Sequence, residues 1–167
     1  RYGKTEVCVK NFIAAGLAIN PSSKFIHLSY SDDLALDNSE EVREFVKSEE
    51  YQSVFPYVQI KKTSDAKKKW YTTCSGGVYA TSAAGQVTGF GAGNVDDEEL
   101  IKEVSMVESG GTALFGGAII IDDPIKPEDA TSTTIRERVN NRFDSTIVNR
   151  VNSRNTPIII IMQRLHP

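Results

Sequence analysis

In Ala118-Ile119-Ile120-Ile121-Asp122-Asp123-Pro124, four apolar residues run without a break and then stop at two acids and a proline. β-Branched side chains favour extended backbone, and a strand with no polar alternation has both faces buried. Such strands belong to parallel sheets covered by helices on both sides. A second apolar run, residues 157–162, ends as abruptly at Gln163-Arg164 and reads as a second buried strand. In α/β sheets ligands bind beyond the carboxyl ends of the strands. Chemistry is therefore expected at the two polar strand tips, Asp122-Asp123 and Gln163-Arg164.

Moving outward, Val9, Phe12, Ile13 and Leu17 recur at helical spacing and predict a helix over residues 6–18. Asn20-Pro21-Ser22-Ser23 is a turn, and residues 25–30 alternate like a strand. Ser31 is a candidate N-cap, with Asp32 and Asp33 in the first turn of a helix reaching about Lys47. Further strands are expected at 57–61, 69–73, 78–82 and near Val87. Residues 94–111 read as an insertion in which Asp96-Asp97-Glu98-Glu99 opens a helix, and 128–151 reads as one long charged helix. Strands alternating with helices around wholly apolar central strands predict an α/β fold with a mainly parallel sheet and flanking helices, in one domain over 1–167.

Composition agrees. Hydrophobic residues at 40% and charged residues at 25% are globular values. No apolar run is long enough to span a bilayer, no signal-peptide pattern is visible, and no membrane partner is expected. The net charge of −3 argues against a domain that coats nucleic acid over its whole surface, and leaves room for a local basic patch. Cys8 and Cys74 form no CxxC pair, and with only His27 and His166 beside them a zinc cluster is not expected; both cysteines read as reduced, small apolar fillers.

Gly3-Lys4-Thr5 before a helix has the chemistry of a phosphate-binding loop's tail. Glycine lets backbone approach an anion, the helix start presents unpaired N–H groups, Lys4 would neutralise phosphate oxygens, and Thr5 would ligate Mg²⁺. By itself the tripeptide is a weak signal and reads more readily as a surface turn before a helix. Asp122, at the tip of a buried strand, can support a phosphate-bound Mg²⁺, and Asp123 can orient and deprotonate an attacking water. Alone, the two acids could simply cap a turn into Pro124. The pairing of both features in one chain favours a nucleoside triphosphatase. Gln163 and Arg164 could reach a terminal phosphate, or could be an ordinary polar exit from a strand. His27 and Trp70 read as core, Lys67-Lys68-Lys69 as a solvated face, and His166 carries no reading.

Taken in order, Arg1-Tyr2-Gly3-Lys4-Thr5, Ser29-Tyr30-Ser31-Asp32-Asp33-Leu34-Ala35, Gly85-Gln86-Val87-Thr88-Gly89, 119–126 and 160–166 resemble the ATPase domain of large terminase subunits of tailed phages and prophages. The resemblance implies a RecA-like P-loop ATPase of the additional-strand class that drives double-stranded DNA into a procapsid, using ATP and Mg²⁺, in the cytoplasm of a bacterial host. It implies a portal protein and a small terminase subunit as partners, and possible assembly as a homo-oligomeric ring. Arg1, Gly3, Lys4 and Thr5 would bind nucleotide; Thr5 and Asp122 would hold the metal. Asp123 would be the water-activating residue, where many relatives have Glu, and Gln163 and Arg164 would form the coupling motif. Phe90 stands where many relatives carry an arginine. The resemblance further implies a strand and the start of the phosphate loop before Arg1 and a nuclease domain after Pro167, so the 167 residues alone are expected to bind ATP poorly. The alternatives are a helicase-type P-loop ATPase and a non-catalytic prophage remnant.

Overall fold

The computed structural model describes residues 3–85, 87, 89–93 and 115–165. Helical turns begin at Lys4, widen to π-type turns over Glu6–Asn11 and continue as α1 (Phe12–Ile19). Then come β1 (Lys24–Ser29), α2 (Asp32–Lys47), α3 (Glu49–Val54), β2 (Ile60–Asp65), β3 (Lys69–Thr72), β4 (Gly77–Ser82) and β5 (Gly117–Asp122). The chain closes with a 3₁₀ turn (Pro127–Thr131), α4 (Thr133–Arg142), a π-type turn (Phe143–Ile147) and β6 (Ile158–Ile161).

The strands form one sheet in the order β2-β3-β4-β1-β5-β6. β4, β1, β5 and β6 are mutually parallel, while β2 and β3 extend the sheet as an antiparallel ribbon. This is the expected α/β architecture with a mainly parallel sheet. One face carries Phe25, Val78, Ala118 and Ile120 under α1 and α2. The other carries Ile26, Leu28, Ile119 and Ile121 under Phe90, Phe143 and Ile147. All six residues of β5 are buried, as the unbroken apolar run requires.

Gly117 starts β5 at φ 123°, with Lys24 O 1.9 Å from where a Cβ would stand. No side chain fits there, so the close parallel pairing of β1 and β5 depends on glycine at this position. Ser31 caps α2 by accepting from Leu34 N–H at 3.2 Å. In the next residue, the Asp32 carboxylate accepts from Ser82 N–H (2.6 Å) and the Thr81 hydroxyl (2.9 Å). These bonds hold its pKa below the usual carboxylate value and lash the start of α2 to the end of β4.

Several expectations need correction. β6 is a sheet edge among the described residues, and Ile160 is exposed, so the second apolar run is not a strand buried on both faces. The helix expected over 128–151 is broken at Ser132, whose hydroxyl caps α4 afresh. The strand expected at 57–61 begins only at Ile60, after a turn through Pro56 and Tyr57. Val87 is buried but lies in no strand. Cys74 is exposed rather than a filler; Cys8 is partly buried against the core. The 94–111 segment, with its acidic opening, lies outside the described residues.

The readings of His27 and Trp70 as core residues hold. His27 is fully buried and Asn38 Nδ2 donates to its Nε2 at 3.2 Å. Trp70 is fully buried and donates from Nε1 to the Ser39 hydroxyl at 3.0 Å. Lys67 is exposed and pairs with Glu40. Phe90 is buried and stacks on Tyr79, with ring centroids 5.7 Å apart.

Candidate functional site

Two segments 117 residues apart meet at the carboxyl end of β5. Gly3 takes φ 68°, a left-handed turn that glycine adopts freely, and leads directly into the first helical residues. The first N–H groups of a helix lack intrahelical partners and favour an anion. From the first turn, the Thr5 hydroxyl donates to Asp122 Oδ2 at 2.6 Å. Asp122 is 3% exposed and belongs to the sheet face covered by α1 and α2.

The second acid reaches the same place by a different route. Residues 122 and 123 of a continuous strand would point to opposite faces. Asp123 instead adopts φ 46° and leaves the strand in a left-handed turn. Asp and Asn tolerate this conformation better than most side chains. Its backbone is pinned on both sides: its N–H donates to Ile161 O at 2.8 Å, and its carbonyl accepts from Tyr30 N–H at 2.9 Å. Asp122 and Asp123 both line one cavity of about 580 Å³.

That cavity brings together Gly3, Lys4, Thr5, Asp122, Asp123 and Gln163. Arg164, the next residue, is exposed and outside the cavity lining; Arg1 lies outside the described residues. The cavity also takes in residues to which the sequence assigns no role in the site, among them Tyr30, Leu34, Glu6 and Lys10. Tyr30 and Leu34 follow β1 and reach the site because β1 lies beside β5; Glu6 directly follows Thr5, and Lys10 lies about one turn further along the same helical segment. Lys10 binds Glu6 at 3.1 Å and also Glu41. Burial works against its charge, but the bonds to Glu41 and Glu6 outweigh that and raise its pKa. Lys10 is thus already neutralised, and Lys4 supplies the cavity's positive charge toward a ligand.

Burial pushes the Asp122 carboxyl above the usual carboxylate value. The Thr5 hydrogen bond opposes the shift, neighbouring Asp123 adds to it, and Lys4 opposes it. A cation between these oxygens would reverse the penalty. The donors fit a small hard ion: one hydroxyl and adjacent carboxylates, with no soft ligand among them. Among the described residues no cluster of three His, Cys, Asp or Glu side chains could cage a metal unaided. Remaining ligands would have to come from water and from the bound molecule, which is how Mg²⁺ is held beside phosphates. Set against known proteins, the chain matches no protein-family model and no curated protein.

Proposed function

We propose that the cavity is a Mg²⁺-dependent ATP-hydrolysing site of the P-loop type, in a RecA-like domain of the additional-strand class. The observation that carries the proposal is the Thr5–Asp122 hydrogen bond. It joins the hydroxyl after a Gly-Lys pair to an acid at a buried strand tip, with a second acid at the same cavity. The strand order supports the same class, since β6 lies outside β5 and ends at that cavity.

In this reading Gly3 and the helix start cradle phosphate, and the Lys4 ammonium neutralises its oxygens. Thr5 and Asp122 hold Mg²⁺, which when bound offsets charge on the phosphates. Asp123 orients a water for in-line attack and takes its proton on a carboxylate oxygen. Gln163, at the adjacent strand tip, hydrogen-bonds the terminal phosphate. Arg164 belongs to the coupling segment and acts outside the cavity.

The resemblance of the motif series to large terminase subunits supplies the wider setting, translocation of double-stranded DNA into a procapsid. Two measurements test the two levels. Lys4→Ala and Asp123→Asn in the intact gene product should abolish Mg²⁺-dependent ATP turnover, and unchanged turnover would sink the catalytic reading. DNA packaging into proheads, as against duplex unwinding, separates a packaging motor from a helicase.

A further inference from the structure

Ser29 ends β1 and is fully buried, and its hydroxyl has no hydrogen-bond partner among the described residues. Unsatisfied buried hydroxyls are rare in folded proteins and call for an explanation. In register, Ser29 stands directly beside Asp122 on the neighbouring parallel strand. Paired residues of parallel strands point to the same face, so this hydroxyl and the Asp122 carboxylate share the face under α2. Asp122 directs Oδ2 at Thr5, and no hydrogen bond joins it to Ser29.

We propose that Ser29 is a positioning residue for Asp122. When the carboxylate turns to hold a divalent cation, the Ser29 hydroxyl donates to its other oxygen and fixes its orientation. The inference rests on the metal–nucleotide reading above. It accounts for the orphan hydroxyl as a donor whose partner arrives with the ligand. A partner of this kind, one step behind a metal ligand, typically changes metal affinity about 10- to 100-fold.

The test uses the intact gene product, with Mn²⁺ titrated in the presence of ATP and free Mn²⁺ followed by electron paramagnetic resonance. Ser29→Ala should weaken Mn²⁺ binding about 10-fold or more. Its Tm should equal or exceed that of the unsubstituted protein, because an unpartnered polar group is removed. Ser29→Thr keeps the hydroxyl and should bind Mn²⁺ more tightly than Ser29→Ala. A purely structural serine would give a lowered Tm in Ser29→Ala, and that result overturns the proposal. Unaltered Mn²⁺ affinity in Ser29→Ala, with affinity lost in Asp122→Asn, overturns it while leaving the nucleotide site standing. Equal affinity in the unsubstituted protein and Asp122→Asn overturns both.

Discussion

β5 and β6 are neighbouring parallel strands, both built from isoleucines, and both end at the same cavity. β5 is paired on both sides and wholly buried; β6 is paired on one side, and Ile160 is 50% exposed. Their tips differ accordingly. Asp122 is held by Thr5, and the Asp123 backbone is tied to both flanking strands' ends, whereas Gln163 follows β6 as an exposed residue. Two-sided pairing fixes where a side chain can be.

The sharpest break of this contrast is at the β5 tip. Asp123→Asn keeps a residue that tolerates the left-handed turn and removes only the charge, so ATP turnover should fall about 100- to 10,000-fold while thermal stability stays close to normal. Gly117→Ala, at the start of the same strand, should cost on the order of 3 kcal/mol or more in a denaturant titration, because the new Cβ meets Lys24 O. β6 offers no equivalent lesion among its described residues. Paired truncations then measure the difference between the strands: Ile120→Ala should cost about 2–5 kcal/mol and Ile160→Ala less than about 1 kcal/mol. Similar values would mean that β6 is as buried as β5.

The smallest effect is one of pH. With the Asp122 pKa raised in the folded state, the folded form binds its proton more tightly than the unfolded form does. Stability contributed by this group is therefore full below the unfolded value of 3.8 and declines as pH rises through the folded pKa. Asp122→Asn should accordingly raise Tm at pH 7, with the gain vanishing as pH falls toward 3.8. A gain that grew on acidification would contradict the burial of that carboxyl.

The β5 tip was legible because a strand buried on both faces can be written only as an unbroken apolar run, and the acids that end it stand out. The same logic misread β6. Its apolar run is as continuous, but whether a strand is central or an edge depends on segments distant in sequence. Thr5 and Asp122 were readable as partners because their chemistry is complementary. The left-handed turn at Asp123 was not, since it exists only where Tyr30 and Ile161 supply backbone partners from two other strands. Tyr30 itself, bonded to the site through its backbone N–H, leaves no mark in side-chain chemistry. The long charged stretch after Glu128 hid its own interruption, although Ser132 is a capping residue and could have marked the break.

The pairing of Lys24 with Gly117 has a consequence for the order in which the molecule comes into being. Of β1's two partners β4 is made first, and the other side of β1 waits for a strand roughly 90 residues further on. At ribosomal rates of about 5–20 residues per second, that side stays bare for roughly 5–20 s. During this interval the apolar centre of the future sheet is open to any extended segment nearby, and contacts so distant along the chain make the final closure slow. The nascent sheet is most exposed to mispairing between the completion of β4 and the emergence of β5.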